Sequence, residues 1–151
     1  MFNLKEQAEA LQIGLLAGYV QPAEVVAWAD QTIEAGDVPG PELIQVSLGR
    51  GLSIDGLARA LGAIPGEVCR TRLAQTVLRN MSAALQRDST TGRGIARWLY
   101  KMWLDDLVPS PEARAQMSRL DDAFDLAESG AWGTVPEVQA EIAEFLSAWA
   151  K

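Results

Sequence analysis

The chain has 151 residues, with 20 Asp and Glu against 13 Lys and Arg, a formal net charge of −7 and no histidine. That length suits one compact domain, and an apolar fraction of 48% supplies its core. The acid surplus argues against a nucleic-acid coat or a binder of anionic membranes, because phosphate attraction needs surplus Lys and Arg. The missing His removes the usual general base, every Ser-His or Cys-His pairing and the commonest metal ligand. With Cys69 as the single cysteine, no zinc set remains. No catalytic residue, metal or cofactor is expected.

Helical punctuation runs the length of the chain. Asn3-x-x-Glu6 reads as a capping box before Leu4, Ala8, Leu11, Leu15 and Tyr19 at helical spacing. Pro22 occupies a first helical position ahead of Val25, Val26, Ala29 and Ile33, with Gly36 closing the segment. Asp37-Val38-Pro39-Gly40-Pro41 is a turn into a short apolar segment, Leu43 to Leu48. Ser53 caps a helix carrying Leu57, Ala58 and Leu61, ended by Gly62. Pro65-Gly66 is expected to open a longer helix with Ala74, Val77, Leu78, Met81, Ala84 and Leu85 on one face, broken by the polar run 88–92.

Ile95, Trp98, Leu99 and Met102 form the next stripe, stopped by Pro109. Ser110-Pro111 then pairs an N-cap with a first-turn proline, and Ala113, Met117, Leu120, Phe124 and Ala127 repeat after it. Gly130 and Gly133 bound a loop holding Trp132. Thr134-x-x-Glu137 is a second capping box, before Val138, Ile142, Phe145, Leu146 and Trp149. The expectation is an all-α fold: one domain over residues 1–151, with about eight short helices and short connections.

Charge is sorted along this frame. Residues 1–49 carry seven acids and one base, residues 50–104 three acids and nine bases, and residues 105–151 ten acids and three bases, so the segments sum to −6, +6 and −7. Such a chain neutralises part of itself and presents acidic ends to a basic partner. The unpaired Cys69 fits a reducing compartment, the start Met1-Phe2-Asn3-Leu4-Lys5-Glu6 is not that of a signal peptide, and no apolar run approaches the ~20 residues of a membrane span. The expected location is cytoplasmic.

Four constellations invite a functional reading. Asp121-Asp122-x-x-Asp125 matches the string by which isoprenoid synthases hold magnesium, but those folds are about twice as long and use a second motif that is missing here. On a helix, Asp121, Asp125 and Glu128 share a side beside Met117 and Phe124. Together with Asp122 they read better as the charged rim of an apolar contact patch. Glu137, Glu141 and Glu144 form a second acidic column, spaced i, i+4, i+7, where stability alone would favour interspersed Lys. Arg93, Arg97 and Lys101 form a basic column, expected to pair with the chain's own acidic helices. Among the five tryptophans, Trp98, Trp103 and Trp149 belong with the core, Trp28 is undecided, and Trp132 is the best candidate for an exposed interface anchor. Cys69 is expected to be a small core or near-core residue.

The partner-binding candidates are therefore Asp121, Asp122, Asp125, Glu128, Trp132, Glu137, Glu141 and Glu144, and the expected partner is a basic protein rather than nucleic acid or membrane. An alternative rests on residues 53–72, which resemble the first helix and turn of repressor-type helix-turn-helix domains: Leu57-Ala58, Leu61-Gly62 and Val68 fall at that spacing, with Arg70 and Arg72 on the would-be recognition helix. Gly56, Ile64-Pro65-Gly66 and Glu67 depart from the pattern.

Over its whole length the chain resembles small, acidic, all-helical bacterial immunity proteins that neutralise polymorphic and contact-dependent toxins. The residues that carry this are Leu15-Leu16-Ala17-Gly18-Tyr19-Val20, Val25-Val26-x-Trp28-Ala29-Asp30, and Leu120-Asp121-Asp122-Ala123-Phe124-Asp125-Leu126. The resemblance implies a non-enzymatic cytoplasmic inhibitor of a cognate toxin domain. Many such toxins are nucleases, whose basic clefts would accept acidic side chains in place of nucleic acid.

Overall fold

A computed structural model describes residues 3–36 and 40–150. Those residues are all-helical, without a strand: α1 (Leu4–Ala17), α2 (Pro22–Ala35), α3 (Pro41–Ser47), α4 (Ile54–Gly62), α5 (Arg70–Arg87), α6 (Gly92–Leu104), α7 (Pro111–Glu128) and α8 (Val135–Trp149), with 3₁₀ turns at Gly49–Gly51 and Ser89–Thr91. None of these helices is long and apolar enough to cross a membrane. The turn expected at residues 37–41 lies largely outside the described residues, as does the Met1-Phe2 start. The helices cluster into two compact units, Met1–Val68 and Cys69–Lys151.

The caps lie where the side chains can satisfy the first free N–H groups of a helix. Asn3, Ser53, Ser110 and Thr134 accept from the backbone N–H of Glu6, Gly56, Ala113 and Glu137, and Pro22 and Pro111 begin their helices. Pro65-Gly66 behaves differently from its reading. Gly66 has φ +140°, a conformation reserved for glycine, so the chain stays non-helical from Pro65 to Cys69 and α5 opens only at Arg70. This segment is held to the start of α1: Asn3 Nδ2 donates to the Glu67 carbonyl (2.9 Å), and Lys5 Nζ to that of Gly62 (2.8 Å).

In the first unit α1 packs on α4, α2 on α3, and α3 on α4. Ala8, Leu15, Val25, Ala29, Leu43, Val46, Leu57, Leu61 and Ile64 form the core, each large side chain contributing about 1.5–3 kcal/mol of burial. Helix α1 ends on Gly18 (φ +93°), and the Gly14 carbonyl accepts from the N–H groups of Gly18, Tyr19 and Val20. Tyr19 and Val20 fold back over Gly14 so closely that an added Cβ would lie 2.4 Å from Val20 Cγ2 and 2.9 Å from Tyr19 Cε1. The Tyr19 hydroxyl is buried with no hydrogen-bond partner among the described residues, and burial pushes its pKa up. Trp28 is half-buried, its Nε1 donating to Gln7 Oε1 (3.0 Å).

In the second unit α6 packs on α7, α7 on α8, and α8 on α5. The predicted stripes are buried, Val77, Met81, Ile95, Leu99, Met117, Phe124, Ile142 and Phe145 among them. Two expectations change. Trp98, Trp103 and Trp149 are only half-buried: Lys101 Nζ lies 4.8 Å from the Trp98 ring centre, and Tyr100 and the Arg114 guanidinium flank Trp103 at 5.5 and 5.3 Å, so these two rings sit at a helix edge in contact with cations. Cys69 is exposed, because it precedes α5 instead of lying within it.

Candidate functional site: the α7–α8 face

The candidate acidic residues divide between two sides of α7. On the first, Arg93 of α6 gathers three of them. Its Nη1 donates to Asp121 Oδ1 (2.7 Å), its Nη2 to Asp125, and its Nε lies 3.0 Å from Glu128 Oε1, while its Cζ stands 5.2 Å from the centre of the Phe124 ring. Desolvation pulls the Arg93 pKa down, but the Asp121 hydrogen bond and the charges of Asp125, Asp121 and Glu128 outweigh it and hold the pKa above its ordinary value. The i, i+4, i+7 spacing of Asp121, Asp125 and Glu128 does place them on one side, as the sequence implies, and the basic column does reach its own acidic helix through Arg93. Arg97 and Lys101 remain exposed. Met117 and Phe124 are core residues, 0% and 2% exposed, so no apolar contact patch exists between these acids. Among the described residues no group of three His, Cys, Asp or Glu side chains is placed to hold a metal ion; Asp121 and Asp125 converge on a guanidinium instead.

On the other side, Asp122 faces a groove of about 270 Å³ between α7 and α8. Ala123, Leu126, Trp132, Gly133 and Val138 give it apolar walls, and Asp122, Glu137, Glu141 and Arg119 its polar lining. Trp132 is 78% exposed and Leu126 44%, a large apolar area to leave in water. The loop that presents Trp132 is fixed by its backbone. After α7, Gly130 takes φ +77°, Gly130 N–H donates to the Ala127 carbonyl, and the N–H groups of Ala131 and Trp132 donate to that of Leu126. This is a Schellman closure, and it needs glycine at the left-handed position. Gly133, at φ +72°, turns the chain again into the Thr134 cap of α8.

The polar lining is partly engaged. Arg119 pairs with Glu141 (2.8 Å), both half-exposed, and the Thr134 hydroxyl donates to Glu137 Oε1 (2.9 Å). Glu144 is one turn further along, on a neighbouring hollow of about 540 Å³ that shares the Arg119–Glu141 pair. Among the described residues neither Asp122 nor Glu144 has an ion-pair partner. Thus Asp122, Trp132, Glu137 and Glu141 come together, Glu144 adjoins them, and Asp121, Asp125 and Glu128 belong to the Arg93 cluster. Sequence reasoning missed Leu126 and Arg119. Leu126 falls off the 117–120–124–127 stripe, a signal that it faces outward.

The helix-turn-helix alternative meets a different geometry. Seven residues, Ala63 to Cys69, separate α4 from α5, where the motif uses a turn of about 3–4 residues, and the two helices fall in different units. Arg70, a would-be phosphate contact, donates to the Asp105 carbonyl. Neither family models, curated proteins nor solved structures yield a match to the chain.

Proposed function

We propose that the chain is a non-enzymatic binding protein that neutralises a basic protein domain, an inhibitor of the immunity-protein kind its sequence resembles, and that it makes contact through the α7–α8 face. The observation that carries this reading is the groove itself, in which an exposed Trp132 and Leu126 share the lining with Asp122, Glu137 and Glu141. An apolar centre inside a charged rim is the anatomy of a protein interface, and an aromatic anchor is its commonest energetic focus. Acidic side chains around it speed the capture of a basic partner by long-range attraction. A nuclease toxin domain, whose cleft is built for phosphates, has the required charge.

The test is affinity capture with the wild-type chain and with a variant carrying Asp122→Asn, Glu137→Gln, Glu141→Gln and Glu144→Gln, followed by association kinetics on the captured protein across a salt series. A basic protein held by the wild type, with an on-rate that falls at least about tenfold in the variant and with salt, supports the reading. Equal capture and equal rates for both chains refute it.

A further inference from the structure

Twice within its second unit the chain builds the same three-part contact: an aromatic ring, a guanidinium over it, and one or more carboxylates paired with the guanidinium. Arg93 lies over Phe124 and pairs with Asp121, Asp125 and Glu128. Arg114 lies over Trp103 and pairs with Asp106. The α7–α8 groove offers a third ring and a third set of carboxylates: Trp132, 78% exposed, with Asp122 and Glu137 in the same lining. The cation in that lining, Arg119, is paired with Glu141.

We propose that this groove receives an arginine side chain of a partner protein, stacked on Trp132 and paired with the carboxylates of Asp122 and Glu137. The inference rests on the reading of the α7–α8 face as the contact surface and names what enters it. Charge selects the occupant. Three carboxylates against one guanidinium reject an anion, and an apolar plug would desolvate Asp122 and Glu137 without giving them partners. Size narrows it further, since about 270 Å³ is below the ~300–1,000 Å³ typical of small-molecule sites and suits a single side chain. Arginine is favoured over lysine because its planar, weakly hydrated guanidinium can stack on indole while its edge donates to carboxylate, whereas an ammonium acts as a strongly hydrated point charge. The backbone closure beneath Trp132 fixes the loop that carries it before binding, which lowers the ordering cost of the contact.

The experiment is a titration of the full ¹⁵N-labelled chain with hexa-arginine, hexa-lysine and hexa-citrulline peptides, read on the Trp132 indole N–H, which is assigned by its loss in Trp132→Phe. The expected result is a saturable shift with hexa-arginine, weaker binding of hexa-lysine and none of hexa-citrulline. Affinity for hexa-arginine should fall about tenfold in Trp132→Ala and in Asp122→Asn/Glu137→Gln. With Trp132 so exposed, Trp132→Ala should leave the remaining spectrum in place. A Trp132 resonance that stays still, or that responds equally to citrulline, overturns the proposal. If in that case residues 141–148 of α8 still shift with hexa-arginine, the arginine slot fails while the acidic contact face stands. If no resonance of α7 or α8 moves, the slot fails and the contact-face reading loses its support as well.

Discussion

Replacing Arg93 by methionine keeps most of the side chain's length and removes its charge, and the structure gives the size of the effect. The side chains of Arg93 and Asp121 are 20% and 16% exposed, so their 2.7 Å contact lies toward the buried end of the range. Breaking a buried pair costs about 3–5 kcal/mol and an exposed one about 0–1, which places this pair at roughly 2–3 kcal/mol. The guanidinium over Phe124 adds about 0.5–1 kcal/mol. Asp125 and Glu128 are 61% and 48% exposed and contribute little attraction, but without Arg93 the three carboxylates repel one another by a few tenths of a kcal/mol, roughly, per pair. The expected loss is therefore about 3 kcal/mol for Arg93→Met. Arg93→Lys should lose about half of that, since an ammonium cannot reach three carboxylates in a fork. Urea unfolding of the two variants, with a double-mutant cycle through Asp121→Asn, measures it, and the Arg93–Asp121 coupling should be at least about 1 kcal/mol. A loss below about 1 kcal/mol for Arg93→Met, or an Arg93→Lys chain as stable as wild type, would refute the assignment of Arg93 as the clamp between α6 and α7.

Three further outcomes follow from the first unit and from the start of the second. Gly14→Ala should destabilise by about 1–3 kcal/mol despite the ~1 kcal/mol that alanine gains in a helix interior, because its Cβ would collide with Val20 and Tyr19; a more stable variant in thermal unfolding would contradict the packing. Tyr19→Phe should be neutral or stabilising near pH 7, since it removes a buried hydroxyl without a partner. The raised Tyr19 pKa also sets a sign with pH: the phenol stays protonated in the folded chain while it ionises near 10 when unfolded, so its contribution is intact below that value and is lost as pH rises above it. The stability of Tyr19→Phe relative to wild type should therefore improve by about 1.4 kcal/mol between pH 9 and pH 11, and a constant difference would show that Tyr19 is not buried in this way. Cys69 is exposed and should react with DTNB in the native chain without prior unfolding; reaction only after unfolding would place it in a core.

Most of the helices were legible because they carry two independent marks. A capping side chain or a first-turn proline fixes the start, and a stripe at 3.6-residue spacing fixes the buried face, as at Ser110-Pro111 with Met117, Leu120 and Phe124. Where one mark was read alone it misled. Pro65 looks like a helix start, yet Gly66 takes a φ that only glycine tolerates and delays α5 to Arg70, which in turn exposes Cys69. The half-burial of Trp98 and Trp103 was not readable from periodicity, which does not show the cations that lie over their rings, one of them Arg114 of another helix. At the site, the exposure of Trp132 was visible in its two flanking glycines. The division of the acids was not, because sequence spacing gives the side of a helix a residue lies on but not which neighbour, α6 or α8, that side meets.

That division decides how the acidic charge of α7 and α8 is used. Asp121, Asp125 and Glu128 spread one guanidinium's charge over three carboxylates, so their attraction for anything outside the chain is partly cancelled at short range. Asp122 and Glu144 have no such counter-charge, and Glu137 has only a hydroxyl partner. Both patches keep a net negative charge, three carboxylates against Arg93 on one side of α7 and Asp122, Glu137 and Glu141 against Arg119 on the other. Near a Debye length, about 8 Å in physiological salt, both therefore attract a basic partner. The two differ at short range: the first set is tied to Arg93 within the chain, whereas Asp122 has no ion-pair partner among the described residues and lines the groove with the exposed Trp132. The acids of α7 thus divide into two sets: Asp121, Asp125 and Glu128, which pair with Arg93 of α6, and Asp122, which joins Glu137 and Glu141 of α8 at the groove. The two sets are separable by mutation because they share no counter-ion: Arg93 serves the first and Arg119, through Glu141, borders the second.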